Sequence, residues 1–339
     1  MKKIFILIAA IALAASMASA QKNKKDKEAA PPPSDADRFA WGSSKLIPKL
    51  KRIAITEITV NYKLTTTAKV VAQEKGGGKK IAGARVSAYL ETTDGELTKQ
   101  DFQTITDNFY KYFLRKLKEG GIDTVGFAQI KAQPFYDKIS ENDDDDKKKE
   151  KGGNEWVTTN ANSGKIVHSG MTGFAGGKGM RSMDFVKDLD ATAASIKLDV
   201  DFADVQLDMD IKSRPARDIG GGWYYPEQVT KTYNWGVNPE MRVGDPDNQN
   251  SRSLYWAAKG IEYLYQSGDV AFPEKYADNS SEDLSKARSG LAKGFAFRKE
   301  LTPVLIQTTK EKYKAAAAKA LERWADGYVA KCIQLRKAS

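Results

Sequence analysis

The chain has 339 residues, of which 54 are Lys or Arg and 44 are Asp or Glu, so its formal net charge is +10. Its single cysteine, Cys332, excludes an intrachain disulfide, and its single histidine, His168, excludes a zinc site built on two histidines. A chain of this length can bury one or two hydrophobic cores without such cross-links.

The N-terminus has the three parts of a secretory signal peptide. Two lysines precede the apolar run IFILIAAIALAAS, and the small-x-small sequence ASA at 18–20 stands before Gln21. The apolar run is too short to cross about 30 Å of hydrocarbon, and no cysteine follows it for attachment of a lipid. We therefore expect residues 1–20 to be removed and the chain to be exported, periplasmic or extracellular, with no transmembrane span.

Export also changes the expected partner. In a cytoplasmic protein this basic balance would suggest nucleic acid, whereas an exported chain meets anionic envelope polymers and envelope proteins instead. We expect no nucleic-acid partner. The alternative to an anionic partner is a basic surface that is simply solvated.

Residues 21–38 are charged and proline-rich and predict a disordered spacer before an α/β domain at 39–212. Alternating apolar residues predict strands at 51–65 and 84–92. Between this domain's strands, Thr98 and Asp101 form a predicted capping box that opens an amphipathic helix ending at Gly120.

The sequence IDTVGFAQI at 122–130 predicts another strand, and residues 138–182 predict a flexible loop. A long strand is predicted at 191–212. Its apolar positions change from even to odd near Ala203-Asp204, which a β-bulge would explain.

Residues 213–339 predict an aromatic-rich segment followed by helices that pack on the same domain. Helical patterns occur at 251–267 and 281–297, and a long final helix is predicted to begin with a capping box at Thr308 and Glu311. The predicted fold is therefore α/β or α+β, a mixed sheet with amphipathic helices, an aromatic-rich insertion and a long C-terminal helix.

Three features of the sequence do not meet the requirements of a catalytic, phosphate-binding or metal-binding site. The glycine-rich stretch at 169–183 lacks the first glycine and the Ser/Thr of a phosphate-binding loop. The four aspartates at 143–146 lack the spacing and the glycine of a calcium loop. Cys332 falls inside the final helix pattern and is expected to be a packed residue. We predict no catalytic residue, no cofactor and no metal.

Two sets of residues remain as candidate binding sites. Aromatic rings with carboxylates suit a glycan, and this set comprises Trp223, Tyr224, Tyr225, Trp235 and Glu240. The final helix carries eight basic against three acidic residues over 308–337, so its outer face suits an anionic envelope partner, and this set comprises Lys310, Lys312, Lys314, Lys319 and Arg323. Two functions follow: a non-enzymatic envelope protein acting by contact, or a carbohydrate-binding or carbohydrate-active protein.

The order of these patterns resembles that of exported α/β proteins of the curli-secretion-channel (CsgG-like) and TolB N-terminal families. The resemblance rests on the strand KRIAITEITV, the helix DNFYKYFLRKLKEGG and the alanine-rich helix KAAAAKALERWADGYVAKC. It covers about residues 50–212 and the final helix. The chain departs from these families in lacking a lipidation cysteine and in inserting the stretch 213–280, and the resemblance transfers no functional residue.

Overall fold

The computed structural model describes residues 34–41, 46–73, 80–134, 136, 140–141, 149–151, 154–163, 166–167, 186–214, 217–218, 221, 224–225, 228–244, 252–257, 260–266, 268–280, 299–301 and 303–338. Contacts divide the chain into residues 1–34 and Asp35–Ser339, and the second unit holds every described element. Several predicted features lie outside the described residues: the signal peptide, residues 21–33 of the spacer, the acidic run, His168, the glycine-rich stretch and the helical pattern at 281–297.

Three α-helices and three 3-10 turns are described. The helices are α1 (Lys99–Glu119), α2 (Phe127–Lys131) and α3 (Lys310–Lys337), and the 3-10 turns are Asp35–Arg38, Ile47–Lys49 and Ala161–Ser163. The strands, in chain order, are β1 (Phe39–Trp41), β2 (Arg52–Lys63), β3 (Thr65–Gln73), β4 (Lys80–Thr92), β5 (Asp123–Val125), β6 (Ser140–Glu141), β7 (Lys149–Lys151), β8 (Asn154–Asn160), β9 (Ile166–Val167), β10 (Thr192–Asp201), β11 (Asp204–Arg214), β12 (Arg217–Asp218), β13 (Tyr224–Tyr225), β14 (Gln228–Asn238), β15 (Met241–Gly244), β16 (Arg252–Ala257), β17 (Gly260–Gln266), β18 (Val270–Phe272), β19 (Asp278–Ser280), β20 (Lys299–Glu300) and β21 (Val304–Thr308).

The larger of the described sheets is mixed and has ten strands. Its main order is β1-β17-β16-β10-β2-β8-β7, with β15 beside β10, β18 beside β15 and β5 beside β2. The central pair β2 and β10 is parallel, whereas β8 and β16 run antiparallel to them. A second mixed sheet contains β3, β4, β19, β20 and β21. These mixed sheets and the long C-terminal helix confirm the predicted fold class.

Helices α1 and α3 pack together on one face of the central strands. The ring of Tyr62 in β2 lies 4.9 Å from that of Phe102 in α1 at a tilted angle, and the ring of Phe113 in α1 lies 5.4 Å from that of Tyr328 in α3. The predicted stripe of α3 is buried from Tyr313 to Tyr328. On the other face of the sheet, a smaller apolar cluster lies near the starts of β2 and β10. This cluster includes Ala54, Val125, Ile130, Tyr136 and Ala193.

The start of α1 is as predicted, but the start of α3 is displaced by one residue. Thr98 and Asp101 form both bonds of a capping box, with the Asp101 N–H 3.2 Å from Thr98 Oγ1. In α3 the cap is Thr309, which accepts from the Lys312 N–H at 3.3 Å. Thr308 instead ends β21, where its hydroxyl donates to the Tyr276 carbonyl. The prediction at Thr308 was wrong because an adjacent threonine could serve equally well.

The predicted helix at 251–267 was wrong, because this segment forms the hairpin β16–β17. Ala257 pairs with Gly260, and Trp256 pairs with Ile261. The segment is dense in aromatic and other apolar residues, so they satisfy a period of two as well as a helical period. Pairing of β16 with β10 decides between the two.

Three other expectations change. The predicted strand at 122–130 is divided into the short strand β5 and the helical turn α2. The predicted loop at 138–182 contains β8, which pairs with β2 through Thr59↔Asn160. The last residues of the predicted spacer form the 3-10 turn Asp35–Arg38.

The change of apolar face near Ala203-Asp204 has a larger cause than a bulge. Strand β10 ends at Asp201 in the ten-stranded sheet, and β11 begins at Asp204 in a separate sheet with β14. The predicted single strand is therefore two strands. We call the two-stranded sheet β11–β14 the ribbon.

Candidate functional site

A row of polar side chains lies on the face of β2 and β10 opposite α1. Ser195 pairs with Glu57, Lys197 with Thr59, and Asp199 with Asn61, and directly opposite residues share a face. A register shift between Ala194 and Ser195 interrupts the pairing before this row. We call the following residues the polar row: Glu57, Thr59, Asn61, Lys63, Ser195, Lys197, Asp199 and Asp201.

The first part of the row is centred on a buried carboxylate. Glu57 accepts from the hydroxyls of Ser195 at 2.5 Å and Thr59 at 2.8 Å. The Lys197 ammonium lies 3.4 Å from the same carboxylate, but the Lys197 side chain is 67% exposed. These contacts supply hydrogen bonds that a buried carboxylate requires. This arrangement connects β2 to β10. The Ser195 hydroxyl donates its hydrogen bond to Glu57.

The middle of the row extends the hydrogen bonds to β8. The Asn61 amide donates to Asp199 Oδ1 at 2.7 Å, and the Thr158 hydroxyl donates to Asn61 Oδ1 at 2.8 Å. One amide therefore joins three neighbouring strands through polar contacts. Asp199 therefore contributes a hydrogen bond between strands.

The row ends in a buried ion pair. Lys63 Nζ lies 3.0 Å from Asp201 Oδ2, and the two side chains are only 6% and 5% exposed. Asp201 also accepts from the Thr66 hydroxyl and from the Ala203 N–H. Such bonds offset the large cost of removing two charges from water.

Next to this pair, Arg242 joins three carboxylates at the base of the ribbon. Its guanidinium lies 2.6 Å from Asp204 at the start of β11, 3.1 Å from Asp269 and 3.8 Å from Glu240. A Cβ at Gly244 would overlap the Asp269 carboxylate, so glycine permits this close approach. We call Asp204, Glu240, Arg242 and Asp269 the ribbon root.

The electrostatics of the root are set by burial. Burial raises the pKa of the Asp269 carboxyl above its ordinary value, and the neighbouring Arg242 guanidinium opposes that rise. Sequence patterns did not identify Arg242 or Asp269, because Asp204, Arg242 and Asp269 are far apart along the chain. Glu57 could have been noticed as a charge inside the apolar run IAITEITV.

The ribbon extends from this root for eleven residues in each strand, about 35 Å if straight. Leu207 pairs with Trp235 and Met209 with Tyr233, so these four side chains share one apolar face. Leu207 packs against the core. Trp235 is 45% exposed, and it and Val71 are the large hydrophobic residues that are exposed in the described part of the chain.

The predicted glycan set does not come together as one described site. Trp223 lies outside the described residues, and Tyr224 and Tyr225 form β13, whose side chains are not described. Trp235 is on the ribbon, whereas Glu240 is at its root beside Arg242. Asp201 and Asp204 are likewise bound to cations of this chain.

The basic face predicted on α3 is largely used within the fold. Lys314 pairs with Asp101 at 3.2 Å, and Lys319 pairs with Glu274 at 3.4 Å. Arg323 binds Asp35 at 2.5 Å. Lys310 lies close to Gly95, and Lys312 is exposed in the first turn of α3. The five residues therefore do not form a continuous free cationic surface.

Cys332 is fully buried, and burial raises the pKa of its thiol to about 12. The thiolate, which is the nucleophilic form, is thus strongly disfavoured at neutral pH. Among the described residues no group of three His, Cys, Asp or Glu side chains is arranged to hold a metal ion. None of the described helices is sufficiently long and apolar to cross a membrane.

No protein-family model, curated protein or solved structure matches this chain. Any function must therefore be argued from the chain's own residues.

Proposed function

We propose that this chain is an exported, non-enzymatic protein of the bacterial envelope that acts by contact with another envelope protein, and that the ribbon makes this contact. Export is proposed from the signal-peptide pattern at 1–20, and an envelope role agrees with the resemblance to CsgG-like and TolB N-terminal proteins. Export also separates the chain from nucleic acid, which is why we propose none as a partner.

The observation that carries the proposal is the exposure of Trp235 on a well-anchored ribbon. Large aromatic side chains are frequent hot spots of protein interfaces, and Trp235 is 45% exposed. The opposite face of the ribbon carries the exposed Asp208 and Asn234. The part of the apolar face at Trp235 thus suits burial against a partner, and the opposite face suits water.

We propose a contact on the ribbon rather than on α3. The sequence favoured the basic face of α3, but Lys314, Lys319 and Arg323 bind carboxylates of the same chain. Exposed ion pairs contribute little stability, yet they lower the charge available to an anionic partner. Trp235 on the ribbon, by contrast, is 45% exposed.

Site-specific cross-linking tests the proposal. A photoreactive phenylalanine analogue is placed at Trp235, and in a control at the adjacent Asn234 on the other face, in full chains exported by bacterial cells. We expect one protein adduct from position 235 and none from 234, on mature chains that start at Gln21. Binding of the purified partner should fall at least tenfold in Trp235→Ala and should be unchanged in Asn234→Ala. Equal adducts from both positions would contradict the proposal.

A carbohydrate-binding function is the second candidate, because an exposed indole also suits stacking on a sugar ring. Its carboxylate partners are less favourable, since Asp204 and Glu240 bind Arg242. A glycan array decides between the two. Glycan binding that is lost in Trp235→Ala, without a protein adduct in cells, would support this second function.

A further inference from the structure

The N-terminal segment Asp35–Trp41, which we call the strap, lies in a groove on the main body. Its 3-10 turn rests on α3, and its strand β1 adds to the outer edge of the ten-stranded sheet. Phe39 pairs with Gln266, and Trp41 pairs with Leu264, antiparallel to β17. Extended peptides commonly bind proteins by adding a strand to a sheet edge in this way.

Two side chains four residues apart anchor the strap. Phe39 is 2% exposed, and its ring makes edge contacts with Trp324 at 5.7 Å and Tyr328 at 5.6 Å. The Asp35 carboxylate accepts from Arg323 Nε at 2.5 Å and Nη2 at 3.2 Å. An aromatic pocket and a bidentate arginine thus bind the strap.

The groove is shaped to admit a backbone. A Cβ at Gly327 would lie 2.9 Å from the Asp35 Cβ and 3.1 Å from its carbonyl carbon and oxygen. Any larger residue at 327 would therefore push the strap outwards. The absence of a side chain at 327 lets the strap backbone lie directly on α3.

Contacts that do not involve the strap hold the groove walls. The Trp324 indole donates to Gln266 Oε1 at 3.0 Å, and its ring stacks on Tyr328 at 4.7 Å. Arg323 Nη1 donates to the Ala271 carbonyl at 2.8 Å. A site whose walls are already positioned loses less entropy when a ligand enters.

We propose that this groove is a recognition site for a segment of a partner protein that forms a 3-10 turn followed by a short strand and carries a carboxylate four residues before an aromatic side chain, and that the strap occupies the site as an intramolecular competitor. Charge complementarity to Arg323 and the shape of the Trp324–Tyr328 pocket select the carboxylate and the ring. The contacts that hold the strap include three paired residues of β1, the buried Phe39 ring and one half-exposed ion pair. The proposal concerns a different surface from the ribbon and does not depend on it.

A labelled peptide with the sequence of residues 34–41, SDADRFAW, tests the site in full-length protein. We expect saturable binding to Phe39→Ala, whose own strap is weakened, and binding at least tenfold weaker to the wild-type chain. The competitor is covalently attached, which gives it an effective concentration of about a millimolar. Peptides with Ala for Phe39 or Lys for Asp35 should bind at least tenfold more weakly than the parent peptide.

A charge exchange tests whether Arg323 recognises the carboxylate of the peptide. In Arg323→Glu combined with Phe39→Ala, the parent peptide should lose binding and the peptide with Lys for Asp35 should regain it. If Phe39→Ala is unfolded, Asp35→Lys serves as the weakened strap, since it leaves the aromatic anchor in place.

Three outcomes would overturn the proposal. The first is absence of peptide binding to folded strap variants. The second is exchange of the Phe39–Trp41 amide hydrogens only as slowly as those of β10, which would make the strap an inseparable part of the sheet. The third is a dimer with exchanged straps, which would make the occupant a second copy of this chain. Cross-linking at Trp235 is a separate readout, so failure of either proposal leaves the other intact.

Discussion

Removing the charge of Asp201 should strongly destabilise the protein, because it removes the carboxylate that lies 3.0 Å from the buried Lys63 ammonium. Both side chains are about 5% exposed and their charged atoms are 3.0 Å apart. Loss of one partner of such a pair costs about 3–5 kcal/mol. A typical domain has a free energy of unfolding of about 5–15 kcal/mol. Asp201→Asn should therefore remove a third or more of the stability.

The reasoning also predicts how a second substitution acts. In Lys63→Met combined with Asp201→Asn neither of the two positions carries a charge, and replacement of buried ion pairs by neutral side chains is often tolerated. We expect the double variant to be more stable than Asp201→Asn alone by about 2 kcal/mol. Lys197→Met is the matched control on the same row, because Lys197 is 67% exposed and should change stability by less than about 1 kcal/mol.

Urea unfolding followed by tryptophan fluorescence measures these differences, provided that the slope with denaturant is the same for each variant. A fall of less than about 1 kcal/mol in the free energy of unfolding of Asp201→Asn would refute the argument. Such a small change would mean that water reaches the Lys63 ammonium in the variant. Additive effects of the two substitutions would refute the argument equally, because interacting charges must show coupling.

Three further predictions concern single residues. Thr309→Ala should lower the free energy of unfolding by about 1 kcal/mol in urea titrations, because Thr309 caps α3; no loss would show that α3 begins elsewhere. Cys332 should react with a thiol reagent at pH 8 only as the protein unfolds in urea, since its thiol has a pKa raised to about 12; fast labelling of the native protein would contradict its burial. Bonds from the Thr98 N–H and hydroxyl lower the pKa of Asp101 from 3.8 to about 2. Its contribution to stability should therefore be complete above about pH 4 and lost towards about pH 2. Asp101→Asn should make thermal stability less dependent on pH in that interval, and an unchanged profile would argue against the capping box.

The sequence by itself determined the elements whose interactions are local. Helix α1 was predicted with its cap and its end, because Thr98 and Asp101 are neighbours and the apolar stripe repeats every three or four residues. The stripe of α3 was predicted for the same reason. The alternation in β2 also predicted which of its faces carries Thr59, Asn61 and Lys63.

Only the tertiary structure decided what those faces contact. Lys63 and Asp201 are 138 residues apart and meet because β2 and β10 are parallel neighbours in one register. The hairpin at 252–266 forms because β10 supplies an edge for β16, although the same residues also fit a helical period. Arg323 looked free in the sequence, yet the strap brings Asp35 to it from the other end of the chain. Contacts of this kind depend on strand order and register, which local patterns do not encode.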